Sequence, residues 1–267
     1  MPTSKLFLLS CFLQSMFLFF VLNPVDAEGY LKVRFYEETC PKAEEIVKEV
    51  ITRVLSVATS LAGPLLRMHF HDCFVRGFDG QSWEVETGRR DGSVSNITEA
   101  SLNLIPPIAN ISQLILGFQQ RGLSVKYVVV LSGGHTIGTS HCSSFSSRLY
   151  NFTGKGDTDP ELDPNCIERL KRKCMPGDKT TLVEMNPGSF KTFDEDYYRL
   201  VSKRRGLFQS DATLLDNRET RAYVKLQARY YRSTFLKDFG VSMVKMGRIG
   251  VLTGEAGEIR KVCTMVN

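Results

Sequence analysis

Arg67 and His71 stand four residues apart in the stretch Leu65 to Gly80, LLRMHFHDCFVRGFDG. On a helix this spacing puts a fixed cation and an imidazole base on one face, whereas His69 lies roughly 200° round from His71 and points elsewhere. An apolar helix carries such a pair only where it meets a buried partner or a substrate. A metal hydrolase built on His69, His71 and Asp72 is disfavoured by the same geometry, because the two histidines diverge. A second histidine, His135, follows a glycine pair in LSGGHTIG, Leu131 to Gly138.

The elements that must position these residues read as mostly helical. Cys40-Pro41 opens a helix with acidic Glu44 and Glu45 in its first turn and apolar residues at Ala43, Ile46, Val47, Val50, Ile51, Val54 and Leu55. Gly63-Pro64 starts the helix bearing Arg67 and His71. Further helical patterns run from Ile111 to Gln120, His141 to Tyr150, Pro164 to Lys173, Asp194 to Arg205, Glu219 to Tyr231 and Thr234 to Met246. One run differs: Val128 to Leu131, followed by Ser132-Gly133-Gly134-His135, reads as a buried strand entering a glycine turn. Neither GxGxxG nor Gly-Lys-Ser/Thr follows, so a nucleotide site is not expected there.

Lys5, the apolar run Leu6 to Leu22 and the small-residue site Val25-Asp26-Ala27 mark residues 1–27 as a signal peptide, leaving 28–267 as a single domain. No other segment reads as a membrane span. A net charge of +5 and a pI near 8.8 are mild, and the basic runs Lys171-Arg172-Lys173 and Lys203-Arg204-Arg205 suit helix ends better than nucleic acid. In an exported chain such a surface favours polyanions of the cell wall. Sequons at Asn96, Asn110 and Asn151 agree with export, and the chain's end at Asn267 points outside the cell rather than to the vacuole. Six cysteines remain after the leader: Cys40, Cys73, Cys142, Cys166, Cys174 and Cys263. No CxxC clip suggests zinc.

RMHFHDC and LSGGHTIG together, with TGRRDG (Thr87 to Gly92), RLYNF (Arg148 to Phe152), FDEDYY (Phe193 to Tyr198), GLFQSD (Gly206 to Asp211) and KMGRIGVLTG (Lys245 to Gly254), resemble the secreted plant (class III) haem peroxidases. The resemblance implies an all-α fold and a monomer that reduces hydrogen peroxide and oxidises small phenols. It makes His135 the axial ligand of haem b, with Asp211 holding the other ring nitrogen. Asp211 also sits where a helix cap would be. His71 would carry a proton between the peroxide oxygens, Arg67 would stabilise the charge that develops, and Phe70 would shield that face. Two calcium ions are implied: a distal one at Asp72, Val75, Gly77 and Asp79, and a proximal one at Thr136, Asn186, Ser189, Thr192 and Asp194. Ile105 stands where the substrate-edge motif has its first proline, Tyr127 where an aspartate would complete a helix-start box with Ser124, and Asn186 where an aspartate is usual. Cys142 and Cys174 are each other's family partners.

Against the family pattern a large internal block is missing between Gly80 and Gln81, the family's next distal calcium ligand falling at Gln81 or Ser82. Residues that orient the distal histidine and cysteines that would pair with Cys40 and Cys263 go with the block, and Phe78 replaces the expected partner of Cys73. Lower activity than in an intact relative follows as the expectation. The alternative is an impaired or inactive exported protein without a stable haem pocket.

Overall fold

The computed structural model describes residues 31–72, 84–229, 234–262 and 264–267, with the backbone alone for 68–72 and 99–101. The proposed signal peptide, Cys73, Val75, Gly77, Asp79, Gln81, Ser82 and Cys263 lie outside the described residues. Eleven α-helices account for nearly half of the described chain: α1 (Ala43–Val57), α2 (Ala62–Asp72), α3 (Ile97–Asn103), α4 (Ile111–Gln119), α5 (Val125–Ser132), α6 (Ser146–Tyr150), α7 (Pro164–Lys173), α8 (Asp196–Ser202), α9 (Gln209–Ala212), α10 (Arg218–Arg229) and α11 (Phe235–Met246). Strands are confined, among the described residues, to two antiparallel ribbons: β1 (Lys32–Val33) with β2 (Glu86–Thr87), and β3 (Thr139–His141) with β4 (Leu182–Glu184). No single described helix is long and apolar enough to cross a membrane.

The run Val128 to Val130 is helix, not strand. Its three β-branched residues each give up only a few tenths of a kcal/mol of helix preference. All three are fully buried among Tyr198, Val201, Leu214, Val224, Phe235 and Phe239, and that burial outweighs the preference. Among the described residues no strand pairs with the run. The helix expected from His141 begins only at Ser146, because His141 pairs with Leu182 and the Cys142 amide donates to the Thr181 carbonyl at 3.0 Å. Likewise α1 starts at Ala43 rather than at Pro41. At the start of α5, Ser124 is the N-cap but its side chain makes no capping bond, as the replacement of aspartate by Tyr127 leads one to expect. By contrast α4 opens with a complete capping box, Asn110 and Gln113 each accepting the other's amide.

Two hydrophobic clusters flank the turn that carries His135. One joins α5, α8, α10 and α11. The other surrounds the Cys142–Cys174 disulfide with Phe145, Leu149, Cys166, Leu170 and Leu207. Buried Cys166 and exposed Cys40 are both unpaired. The TGRRDG segment is tied to the chain's end, since Arg89 Nε and Nη2 both donate to the Gly247 carbonyl and the Arg90 and Asp91 amides to those of Leu252 and Glu258. A third, small cluster of Leu55, Ala62 and Ile137 joins α1 and α2 to the rest. The apolar stripe of α1 is only partly covered: Leu55 is buried, while Ile46, Val47 and Val50 are 42–52 % exposed. The asparagines of all three sequons are exposed.

Candidate active site

His135 lies in the single 3-10 turn Gly133–Thr136 that ends α5. Only glycine fits two residues before it, at Gly133. A Cβ on Gly133 would come within 2.4 Å of the Phe235 ring and 2.5 Å of the Tyr198 hydroxyl, and one on Gly134 would meet Leu66 of α2 at 3.3 Å. The close packing lets α5 deliver His135 to the edge of the main cluster with its side chain 38 % exposed.

Asp211, the third residue of α9, is buried and reaches the histidine. His135 Nδ1 stands 2.8 Å from Asp211 Oδ1, the Tyr197 hydroxyl donates to that same oxygen at 2.9 Å, and the Phe208 amide donates to Oδ2 at 2.9 Å. Orienter and helix cap are therefore one residue: the carboxylate closes the start of α9 with one oxygen and holds the imidazole with the other. Burial pushes the Asp211 carboxyl up, but the charge of His135 and the three donors prevail and hold it below the ordinary carboxylate range. The Tyr197 phenol is pushed far above its usual value by burial and by the Asp211 charge, so it keeps its proton. With Nδ1 engaged, Nε2 is the ring nitrogen left to act as a ligand. The Phe208 ring meets the imidazole edge-on at 5.0 Å.

The loop before α9 is fixed from below by Arg148, which is 1 % exposed. Its Nε pairs with buried Asp159 at 2.7 Å, and Nη1 donates to the carbonyls of Gly206, Leu207 and Phe208 at 2.7–3.0 Å. Gly206 is obligatory here, since a Cβ would come within 2.6 Å of the Asp211 Cβ. Neither Tyr197, Phe208 nor Arg148 stood out as a site residue in the sequence, although FDEDYY, GLFQSD and RLYNF contain them. Their separations from His135 and Asp211 hide the contacts.

Arg67, Phe70 and His71 all lie on α2, as expected. The Arg67 side chain is exposed, and those of Phe70, His71 and Asp72 lie outside the described part. Helix α2 abuts the His135 turn, because a Cβ on Gly63 would meet Gly138 Cα at 2.8 Å and Leu66 lies over Gly134. Ile105 is half-buried against Gly117 of α4, and the Pro107 carbonyl next to it accepts the Ser210 amide of α9 at 2.9 Å.

The proximal cation residues do gather. Thr136 Oγ1 and Ser189 Oγ donate to the two oxygens of Asp194 at 2.9 and 3.1 Å, while Thr192 and Asn186 close the loop through the Ser189 backbone. Oxygen donors of this kind suit a hard cation. One carboxylate serves the group, however, and the buried Asn186 side chain has an amide nitrogen with no hydrogen-bond partner. Among the described residues no three His, Cys, Asp or Glu side chains cluster as a metal site.

The mostly helical scaffold and the half-exposed histidine gripped by a buried aspartate are what the resemblance to the haem peroxidases implied. The family model described as "Peroxidase" matches residues 78–230. The chain is 50 % identical over 323 aligned residues to Peroxidase 56 of Arabidopsis thaliana, which covers 97 % of this chain and 98 % of that one. It is 48 % identical over 328 residues to Peroxidase 27 of the same plant, with full coverage of both, and 44 % identical over 308 to Peroxidase 1 of Oryza sativa subsp. japonica, with 90 % and 94 % covered. The chain belongs to the peroxidase family, within its plant class III branch.

Proposed function

We propose that this protein is an exported haem peroxidase that reduces hydrogen peroxide and oxidises small phenolic donors. The observation that carries the reading is the His135 Nδ1 to Asp211 Oδ1 contact of 2.8 Å, made by a half-exposed imidazole to a buried carboxylate. Such a pair fixes the ring and raises its donor strength, as a haem ligand requires. Bound haem b would supply a redox iron that takes two oxidising equivalents from peroxide and returns them singly to donors. His135 would hold it from one side. From α2, His71 would move a proton from one peroxide oxygen to the other, while the Arg67 guanidinium steadies the charge that builds on the departing oxygen.

Calcium at the proximal site is part of the proposal, with weak binding because Asn186 brings no charge to the lone carboxylate of Asp194. We also propose that the chain is internally shortened between Gly80 and Gln81. An alignment of 323 positions on a chain of 267 residues requires gaps in this chain, which supports a missing segment. Turnover should therefore fall well below that of an intact relative.

An absorption spectrum of the purified protein with haem tests the core of the reading. A Soret band that is lost in His135→Ala, together with phenol oxidation on adding peroxide, is the expected result. Haem binding unaffected by that substitution would overturn the assignment, and turnover equal to an intact relative's would overturn the expected loss of activity.

A further inference from the structure

Asp211 does not serve His135 alone. Oδ1 accepts two hydrogen bonds at once, one from His135 Nδ1 at 2.8 Å and one from the Tyr197 hydroxyl at 2.9 Å. A carboxylate can only accept, so both neighbours donate to it. The Tyr197 ring is buried against Tyr198, 5.1 Å between centroids, and stands edge-on to His135 at 6.0 Å. Its hydroxyl therefore has a fixed position and a fixed target. Each donor that a carboxylate accepts draws charge from the oxygen, and the two bonds on Oδ1 compete for the same lone-pair density.

We infer that Tyr197 is a positioning residue that sets how strongly Asp211 pulls on the His135 proton, and so tunes the electron donation of His135 to the haem iron. The inference rests on His135 being the axial ligand. Donation by Tyr197 moderates the anionic character of the imidazole. Without the hydroxyl, Asp211 would draw the Nδ1 proton harder, Nε2 would donate more, and ferric iron would be favoured over ferrous. Tyr198 provides an internal control, for it is adjacent, fully buried and similar in shape, but its hydroxyl donates to the Val129 carbonyl at 3.1 Å and not to Asp211.

The test uses the haem-loaded protein and two readouts, the Fe(III)/Fe(II) midpoint potential and the ferrous iron–histidine stretching frequency. Tyr197→Phe should lower the potential and raise the frequency, Tyr198→Phe should leave both at the wild-type values, and Asp211→Asn should move both the opposite way. Tyr197→Leu removes the same hydroxyl and serves if the phenylalanine variant does not fold. Wild-type values in Tyr197→Phe, alongside a clear change in Asp211→Asn, would overturn the role of Tyr197 and leave the ligand assignment standing. Equal shifts in Tyr197→Phe and Tyr198→Phe would overturn it as a general packing effect. An iron–histidine band that survives His135→Ala would remove the ligand assignment and the inference together.

Discussion

The two sides of the candidate site are supported very differently. Behind His135, every element is committed: Asp211 accepts three donors, Arg148 holds three carbonyls and an aspartate, and three fully buried valines back the turn. On the α1 and α2 side, Ile46, Val47 and Val50 face outward, Cys40 is unpaired, and the cluster joining these helices to the body has three buried residues. Both sides carry equally recognisable motifs. Motifs record which atoms the chemistry needs, whereas rigidity comes from what surrounds them.

The contrast can be broken by substitution. Arg148→Met should cost about 3–5 kcal/mol, because it leaves the Asp159 carboxylate buried without its cation. Urea unfolding measures it, and a loss below about 1 kcal/mol would mean that the proximal scaffold is less committed than its contacts imply. Asp211→Asn should weaken haem retention or activity about 10–100-fold, read by haem titration and steady-state kinetics. Unchanged affinity and turnover would dissolve the special standing of this face.

At the rim of the same core, Asp238 accepts from Lys126, Tyr223 and Thr234 at 2.8–2.9 Å. Burial raises its carboxyl, but the bonds from Lys126, Thr234 and Tyr223 outweigh this and hold the pKa below the ordinary 3.8. Its contribution is therefore fully present above the unfolded-state value and is lost as pH falls through the lower folded value. Asp238→Asn should cost about 1–2 kcal/mol at neutral pH, with the gap to wild type closing in acid. A gap that persists unchanged at low pH would show that the charge is not what matters. Smallest of all, Val50→Ser on α1 should change stability by less than about 0.5 kcal/mol. A larger loss would mean that this face is covered in solution and that the contrast is overstated.

Helices with periodic apolar faces were legible in the sequence, as α4, α7 and α11 show, the first two also closed by a side-chain cap. The contact between His135 and Asp211 was legible only through resemblance, since 76 residues separate them and no local pattern joins them. Val128 to Val130 misled because β-branched residues prefer strands when half-exposed, but burial on all sides removes that preference. Tyr197 and Arg148 stayed hidden for a simpler reason. Their importance lies in partners far along the chain, and nothing local distinguishes an anchoring arginine from a solvated one. On α1 the apolar stripe could be read, but its lack of cover could not.

The meeting of Gly63 with Gly138 has a mechanical side. Backbone touches backbone there, so the point acts as a fulcrum between α2 and the turn of His135. From Gly63 to His71 the helix extends about 12 Å. A tilt of about 5° at the fulcrum therefore displaces the backbone at His71 by about 1 Å, an error that in a catalytic constellation can cost about a hundredfold in rate. Leverage, rather than loss of any reacting group, is how a missing support far down the chain would reach the chemistry.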